Sequence, residues 1–96
     1  MSNLELLKKL IEIESVSPND NGCFDVIKKE FDDLNFSFKE IKYKNISNLI
    51  ITNGDSKNKT FCFLGHTDVV PPGPESEWTV PPFSGCLLYT SDAADE

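Results

Sequence analysis

Thr60-Phe61-Cys62-Phe63-Leu64-Gly65 runs without a polar break from Thr60 to Gly65 and leads directly into His66-Thr67-Asp68. A short, continuously apolar run of this kind reads as a central strand covered on both faces. Upstream, Asn48-Leu49-Ile50-Ile51-Thr52 reads as a second strand closed by the turn formers Asn53-Gly54-Asp55-Ser56. Before it, Phe36, Phe38, Ile41 and Tyr43 alternate imperfectly with Ser37, Lys39, Lys42 and Lys44, as a half-exposed strand would.

Two helices are expected ahead of these strands. Ser2-Asn3-Leu4-Glu5 has the Ser-x-x-Glu form of a capping box. It predicts a helix over about residues 3–14, with Leu4, Leu7 and Ile11 on one face and Lys8, Lys9 and Glu12 turned outward. Ser15-Val16-Ser17-Pro18-Asn19-Asp20-Asn21-Gly22 is a loop, because Pro18 disfavours helix at Ser17 and Asn, Asp and Gly form turns. Cys23, Phe24, Ile27, Phe31 and Leu34 then recur at three- and four-residue steps, predicting a second amphipathic helix over about 23–34. Two helices followed by three strands make an α/β or α+β unit. Beyond Val70, Pro71, Pro72, Pro74, Pro81 and Pro82 remove five backbone donors, so this stretch is an extended loop.

Composition narrows the function classes. The 96 residues carry 9 Lys, no Arg and 16 acids, a net charge of −7, and the lysines are scattered singly or in the short pairs Lys8-Lys9 and Lys28-Lys29. With no basic patch, nucleic-acid binding through phosphate neutralisation is not expected. The apolar runs are far shorter than a membrane span, and the N-terminus lacks the basic start of a secretion signal. Cys23, Cys62 and Cys86 have neither disulfide-framework nor C-x-x-C spacing, and a reducing cytoplasm is the expected compartment. Cys23 and Cys62 read as small core residues.

His66 is the one histidine. Spacing of two puts His66 and Asp68 on one side of an extended backbone. A neutral imidazole binds zinc through one nitrogen, while a carboxylate accepting a hydrogen bond from the other fixes the tautomer. The carboxyl end of a central strand is also where open α/β sheets place ligands. Taken alone, His-x-Asp is a common tripeptide with no function attached. The longer string Phe63-Leu64-Gly65-His66-Thr67-Asp68-Val69-Val70-Pro71-Pro72-Gly73, followed by Trp78 and Pro81-Pro82-Phe83, is the informative context.

At these residues the chain resembles the dinuclear-zinc aminoacylase and carboxypeptidase superfamily, whose signature is an apolar strand ending in Gly-His-x-Asp. Within it, H-T-D-V-V-P-P-G with the downstream W-x-x-P-P-F resembles the succinyl-diaminopimelate desuccinylase family. The Ser-Val-Ser-Pro loop and Asn48-Leu49 at a strand entry agree, so the resemblance spans about residues 4–85.

The resemblance implies an α/β, zinc-exopeptidase-like catalytic domain represented here by its N-terminal part. It implies that His66 is a ligand to one of two zinc ions, with cobalt able to replace zinc, and that Asp68 is an active-site carboxylate orienting His66. Gly65 would allow close backbone packing beside the metal. The proline-rich loop would shape the rim of the cleft. Trp78 and Phe83 would either cover the sheet edge or touch substrate, and Glu75 and Glu77 would be solvated loop acids. The implied reaction is hydrolysis of N-succinyl-LL-2,6-diaminopimelate to succinate and LL-2,6-diaminopimelate by a cytoplasmic homodimer. In it, a metal-held hydroxide attacks the amide and a glutamate carries the proton to the leaving amine.

The pattern also departs from that family. Family members continue with a Gly-Arg-Gly-x-x-Asp segment, a Glu-Glu pair and further ligands, which this chain lacks, so residues 1–85 are expected to be an inactive part of a larger enzyme. Residues 86–96, Cys86-Leu87-Leu88-Tyr89-Thr90-Ser91-Asp92-Ala93-Ala94-Asp95-Glu96, fit the codons TGT CTC TTA TAC ACA TCT GAC GCT GCC GAC GAn of a transposon-end sequencing adapter. They are expected not to be native. Without them the net charge is −4, from 9 Lys and 13 acids. The competing readings are a related deacylase or dipeptidase, such as an acetylornithine deacetylase, and a small non-catalytic binding module.

Overall fold

The computed structural model describes residues 2–55 and 57–87. The chain divides into two compact units, Met1–Ile13 with Pro72–Glu96, and Glu14–Pro71.

In the first unit the capping box forms as expected. The Ser2 hydroxyl accepts from the Glu5 amide at 3.1 Å, and the Glu5 carboxylate accepts from the Ser2 amide at 3.1 Å. Helix α1 follows over Asn3–Glu12, with acidic Glu5 in its first turn and Lys9 in its last, both favourable to the helix dipole. It ends two residues before the expected boundary because Ile13 turns extended, at φ −85° and ψ 126°. Leu4, Leu7 and Ile11 share a groove of about 370 Å³ with Trp78, Pro81 and Pro82, and all three remain roughly half exposed. The proline-rich stretch is irregular apart from a 3-10 turn at Glu75–Glu77, and the Trp78 indole donates to the Pro72 carbonyl at 3.0 Å. Gly85 is buried with φ +64°, and a side chain there would meet the Glu12 side chain at 3.1 Å. Glycine satisfies both the left-handed backbone and the close approach.

The second unit begins with the Ser15–Gly22 loop and helix α2, Cys23–Lys29. Gly22 precedes the helix at φ +101°, while the Asp20 carboxylate accepts from the Gly22 amide (3.1 Å) and the Phe24 amide (3.1 Å). Asp20 thereby satisfies amides that a helix start leaves unpaired. The second helix is shorter than expected. After Lys29 the backbone continues only as tight turns, with Glu30, Phe31, Asp32 and Leu34 amides each bonding three residues back, until Asn35 reverses the chain at φ +55°. Glu30, Asp32 and Asp33 would place negative charge at a helix C-terminus, where the dipole opposes it.

Strands β1, Ser37–Tyr43, and β2, Ile46–Thr52, form an antiparallel hairpin in register from Ser37 opposite Thr52 to Tyr43 opposite Ile46. Lys44, at φ +57°, makes the two-residue connection. In β2 the inward positions alternate strictly, with Ser47, Leu49 and Ile51 half-buried. Phe31 packs edge-on against Phe36 and Phe38, at centroid distances of 5.0 and 6.3 Å, and the Lys28 ammonium meets the Glu40 carboxylate at 2.7 Å.

The chain is thus an α/β segment, but its described sheet has two strands and not three. Thr60–Gly65 takes up no strand, and Phe61, Phe63 and Leu64 are 84, 90 and 97% exposed. A strand exists only through a hydrogen-bonding neighbour, and among the described residues this run has none. Cys62 is correspondingly exposed, contrary to its reading as a core residue, whereas Cys23 is buried as expected. Cys23 is the one buried hydrophobic residue among those described. No described helix is long and apolar enough to cross a membrane. Of the expected non-native stretch 86–96, residues 88–96 lie outside the described residues.

Candidate functional site

The second unit contains both His66 and Asp68. The loop carrying them is held by a short parallel bridge between Val16 and Val69, in which the Val69 amide donates to the Ser15 carbonyl and the Ser17 amide donates to the Val69 carbonyl, each at 3.0 Å. Ser15, only 2% exposed, adds a third bond from its hydroxyl to the Thr67 carbonyl at 2.8 Å. The buried Cys23 thiol lies close to the Ser15 and Thr67 side chains. Burial pushes that thiol above its ordinary pKa, and these two neighbours offset this only in part.

Above the junction, the His66 ring turns Nδ1 toward Asp68, 3.0 Å from its carboxylate oxygen Oδ1 and 3.0 Å from its carbonyl oxygen. Both partners can only accept, so the neutral ring carries its proton on Nδ1 and leaves the Nε2 lone pair free. The histidine side chain is 81% exposed and that of Asp68 52%. His66 and its neighbours Leu64–Asp68 form one wall of an open, mainly apolar cavity of about 720 Å³, whose other walls are the Ser17–Asp20 loop, Phe24 and the β1–β2 hairpin. A side chain built at Gly65 would meet nothing within 4 Å, so close packing there is not seen among the described residues.

The residues present do not by themselves make a zinc centre. Among the described residues, no three His, Cys, Asp or Glu side chains gather. One imidazole nitrogen and one carboxylate fall short of the roughly three protein ligands a catalytic zinc requires. Trp78, Glu75 and Glu77 lie in the other unit, with both acids exposed. The Ser15–Thr67–Cys23 junction is the part that sequence reasoning missed. Its one signal was the Ser-Val-Ser-Pro loop, which says nothing of a partner 52 residues away.

No protein-family model matches the chain. Among curated proteins it is 44% identical over 96 residues to the succinyl-diaminopimelate desuccinylase of Vesicomyosocius okutanii subsp. Calyptogena okutanii, covering 96% of this chain and 25% of that protein. The proteins of the same name from Alkalilimnicola ehrlichii and Psychromonas ingrahamii are 43 and 44% identical, over the same shares of each chain. The match therefore extends past residue 85. The chain spans about a quarter of the length of the curated relatives it matches. It is related in sequence to the succinyl-diaminopimelate desuccinylases and corresponds to about one quarter of their length.

Proposed function

We propose that the complete protein to which this chain corresponds is a zinc-dependent amidohydrolase that cleaves N-succinyl-LL-2,6-diaminopimelate to succinate and LL-2,6-diaminopimelate. The observation carrying this reading is the 44% identity to desuccinylases across nearly the whole chain, together with a histidine whose Nε2 is left free by Asp68. His66 is the metal-binding residue, offering Nε2, and Asp68 is the active-site carboxylate that holds the ring's other nitrogen. The remaining ligands and the proton-carrying glutamate belong to the three quarters of the relatives' length that this chain does not span. Zinc, with cobalt as a substitute, supplies a Lewis acid and an activated water to such a centre.

In the complete protein Thr60–Gly65 becomes a strand, covered by segments this chain does not contain. The exposed Phe61, Phe63 and Leu64 support this, since large apolar side chains at such exposure mark a face meant for a partner surface. The complete enzyme is a cytoplasmic homodimer acting on a small-molecule substrate, with no nucleic-acid or membrane partner. By itself the chain is inactive, having one imidazole ligand where about three ligands are needed. The codon fit of residues 86–96 supports their being adapter-derived, even though the aligned region of the relatives runs past residue 85. Sequencing the locus without transposon adapters tests this, and genomic codons for the same 11 residues would refute it.

The deciding experiment for the activity is to express the complete gene and compare hydrolysis of N-succinyl-LL-2,6-diaminopimelate with that of N-acetylornithine. Preference for the succinyl substrate is expected. Preference for acetylornithine would assign the chain to a related deacylase.

A further inference from the structure

An exposed histidine and carboxylate do not hold each other in place. Such pairs contribute little to stability, and His66 and Asp68 are 81 and 52% exposed. The orientation of the ring must therefore come from the backbone beneath it. The peptide plane that begins at the Thr67 carbonyl ends at the Asp68 amide, so fixing that carbonyl fixes the plane from which Asp68 projects. The group that fixes it is the buried Ser15 hydroxyl, at 2.8 Å, in a place where water has little access to replace it. The flanking bonds between Ser15, Ser17 and Val69 hold the register. Cys23, 1% exposed, is buried close to Ser15 and Thr67.

We propose that Ser15 is a positioning residue for His66: its hydroxyl, by holding the Thr67 carbonyl, keeps Asp68 where it accepts the hydrogen bond from His66 Nδ1–H and leaves Nε2 open. The functional meaning rests on the proposed role of His66, but the structural claim is separable from it. Because His66 is the chain's one histidine, its ring nitrogens are directly readable by ¹⁵N NMR of the 96-residue chain, kept monomeric by Phe61→Lys with Phe63→Lys as the common background, at a pH of about 8 where an ordinary imidazole is neutral.

The wild-type ring is expected in the Nδ1–H form. Ser15→Ala should abolish that preference and speed amide exchange at Ser17 and Val69 about fivefold, the effect of one lost hydrogen bond of ordinary strength. Ser15→Thr, which keeps the hydroxyl, should restore both. Phe31→Leu, which weakens the same unit at its aromatic cluster, should leave the ring form unchanged. In the background chain, rising urea should erase the Nδ1–H form together with protection at Ser17 and Val69. A wild-type ring in the Nε2–H form, an unchanged ring in Ser15→Ala, or separate loss of the two signals in urea would overturn the proposal. Absence of hydrolysis by the complete protein would instead overturn the functional reading and leave this result standing.

Discussion

The His66 Nδ1 atom lies 3.0 Å from Asp68 Oδ1, on a loop that Ser15 anchors from 52 residues earlier in the chain. Two residues apart in sequence, the pair has the geometry by which a carboxylate fixes the tautomer of an imidazole. The first prediction concerns this contact. Asp68→Ala should convert the ring from the Nδ1–H form to a tautomer mixture while leaving thermal stability almost unchanged, because an exposed pair contributes about 0–1 kcal/mol. Asp68→Asn, which retains an acceptor oxygen, should keep much of the Nδ1–H form. Ring ¹⁵N shifts and a melting curve check both parts.

Helix α1 depends on its capping box. Ser2→Ala should cost about 1 kcal/mol of helix stability, read as a drop in far-ultraviolet ellipticity. The hydrogen bonds from Ser2 hold the Glu5 carboxyl below its ordinary value of 4.5. A depressed carboxylate pKa means that its contribution is present above the unfolded value and is lost as pH falls through the lower, folded one. Helicity should therefore decline on acidification below about pH 4.5 in the wild type, and this part of the decline should be missing in Glu5→Gln.

The three cysteines should separate by reactivity. Cys62 and Cys86 are exposed and Cys23 is buried with its thiol pKa raised by burial, and it is the thiolate that reacts. A thiol reagent at neutral pH should consume two thiols quickly and the third only as the second unit opens. Cys23→Ser should remove the slow phase and leave the fast one intact.

Much of this organisation was legible in the sequence. Ser2 and Glu5 announce α1 because a capping box is local, and the two strands are readable because the hairpin closes on itself through Lys44 and Asn45, although all seven β1 residues are exposed and the alternation lies in β2. Thr60–Gly65 is not readable, since an apolar run becomes a strand only when a neighbour pairs with it. The same dependence misassigned Cys62 to a core. The spacing of Phe31 and Leu34 predicts a longer α2 than the observed Cys23–Lys29, because Glu30, Asp32 and Asp33 carry charges that disfavour a helix end. The two-residue spacing of His66 and Asp68 anticipates their 3.0 Å contact, whereas the bond from Ser15 to the Thr67 carbonyl has no local signal, because 52 residues separate the two.

The exposed apolar run sets the behaviour of the isolated chain. Phe61, Phe63 and Leu64, each more than four-fifths exposed, should drive self-association, seen as large species in sedimentation velocity. Phe61→Lys with Phe63→Lys should raise the monomer fraction without lowering the melting temperature, because neither ring is buried in the chain.

His66 is proposed to belong to the metal centre of a desuccinylase. The most direct test of that role is the zinc content and N-succinyl-LL-2,6-diaminopimelate turnover of the complete protein with and without His66→Ala. His66→Ala should remove bound zinc and lower turnover by at least about a thousandfold, the loss of roughly 4 kcal/mol of transition-state stabilisation. Full zinc occupancy and undiminished turnover in His66→Ala would contradict it.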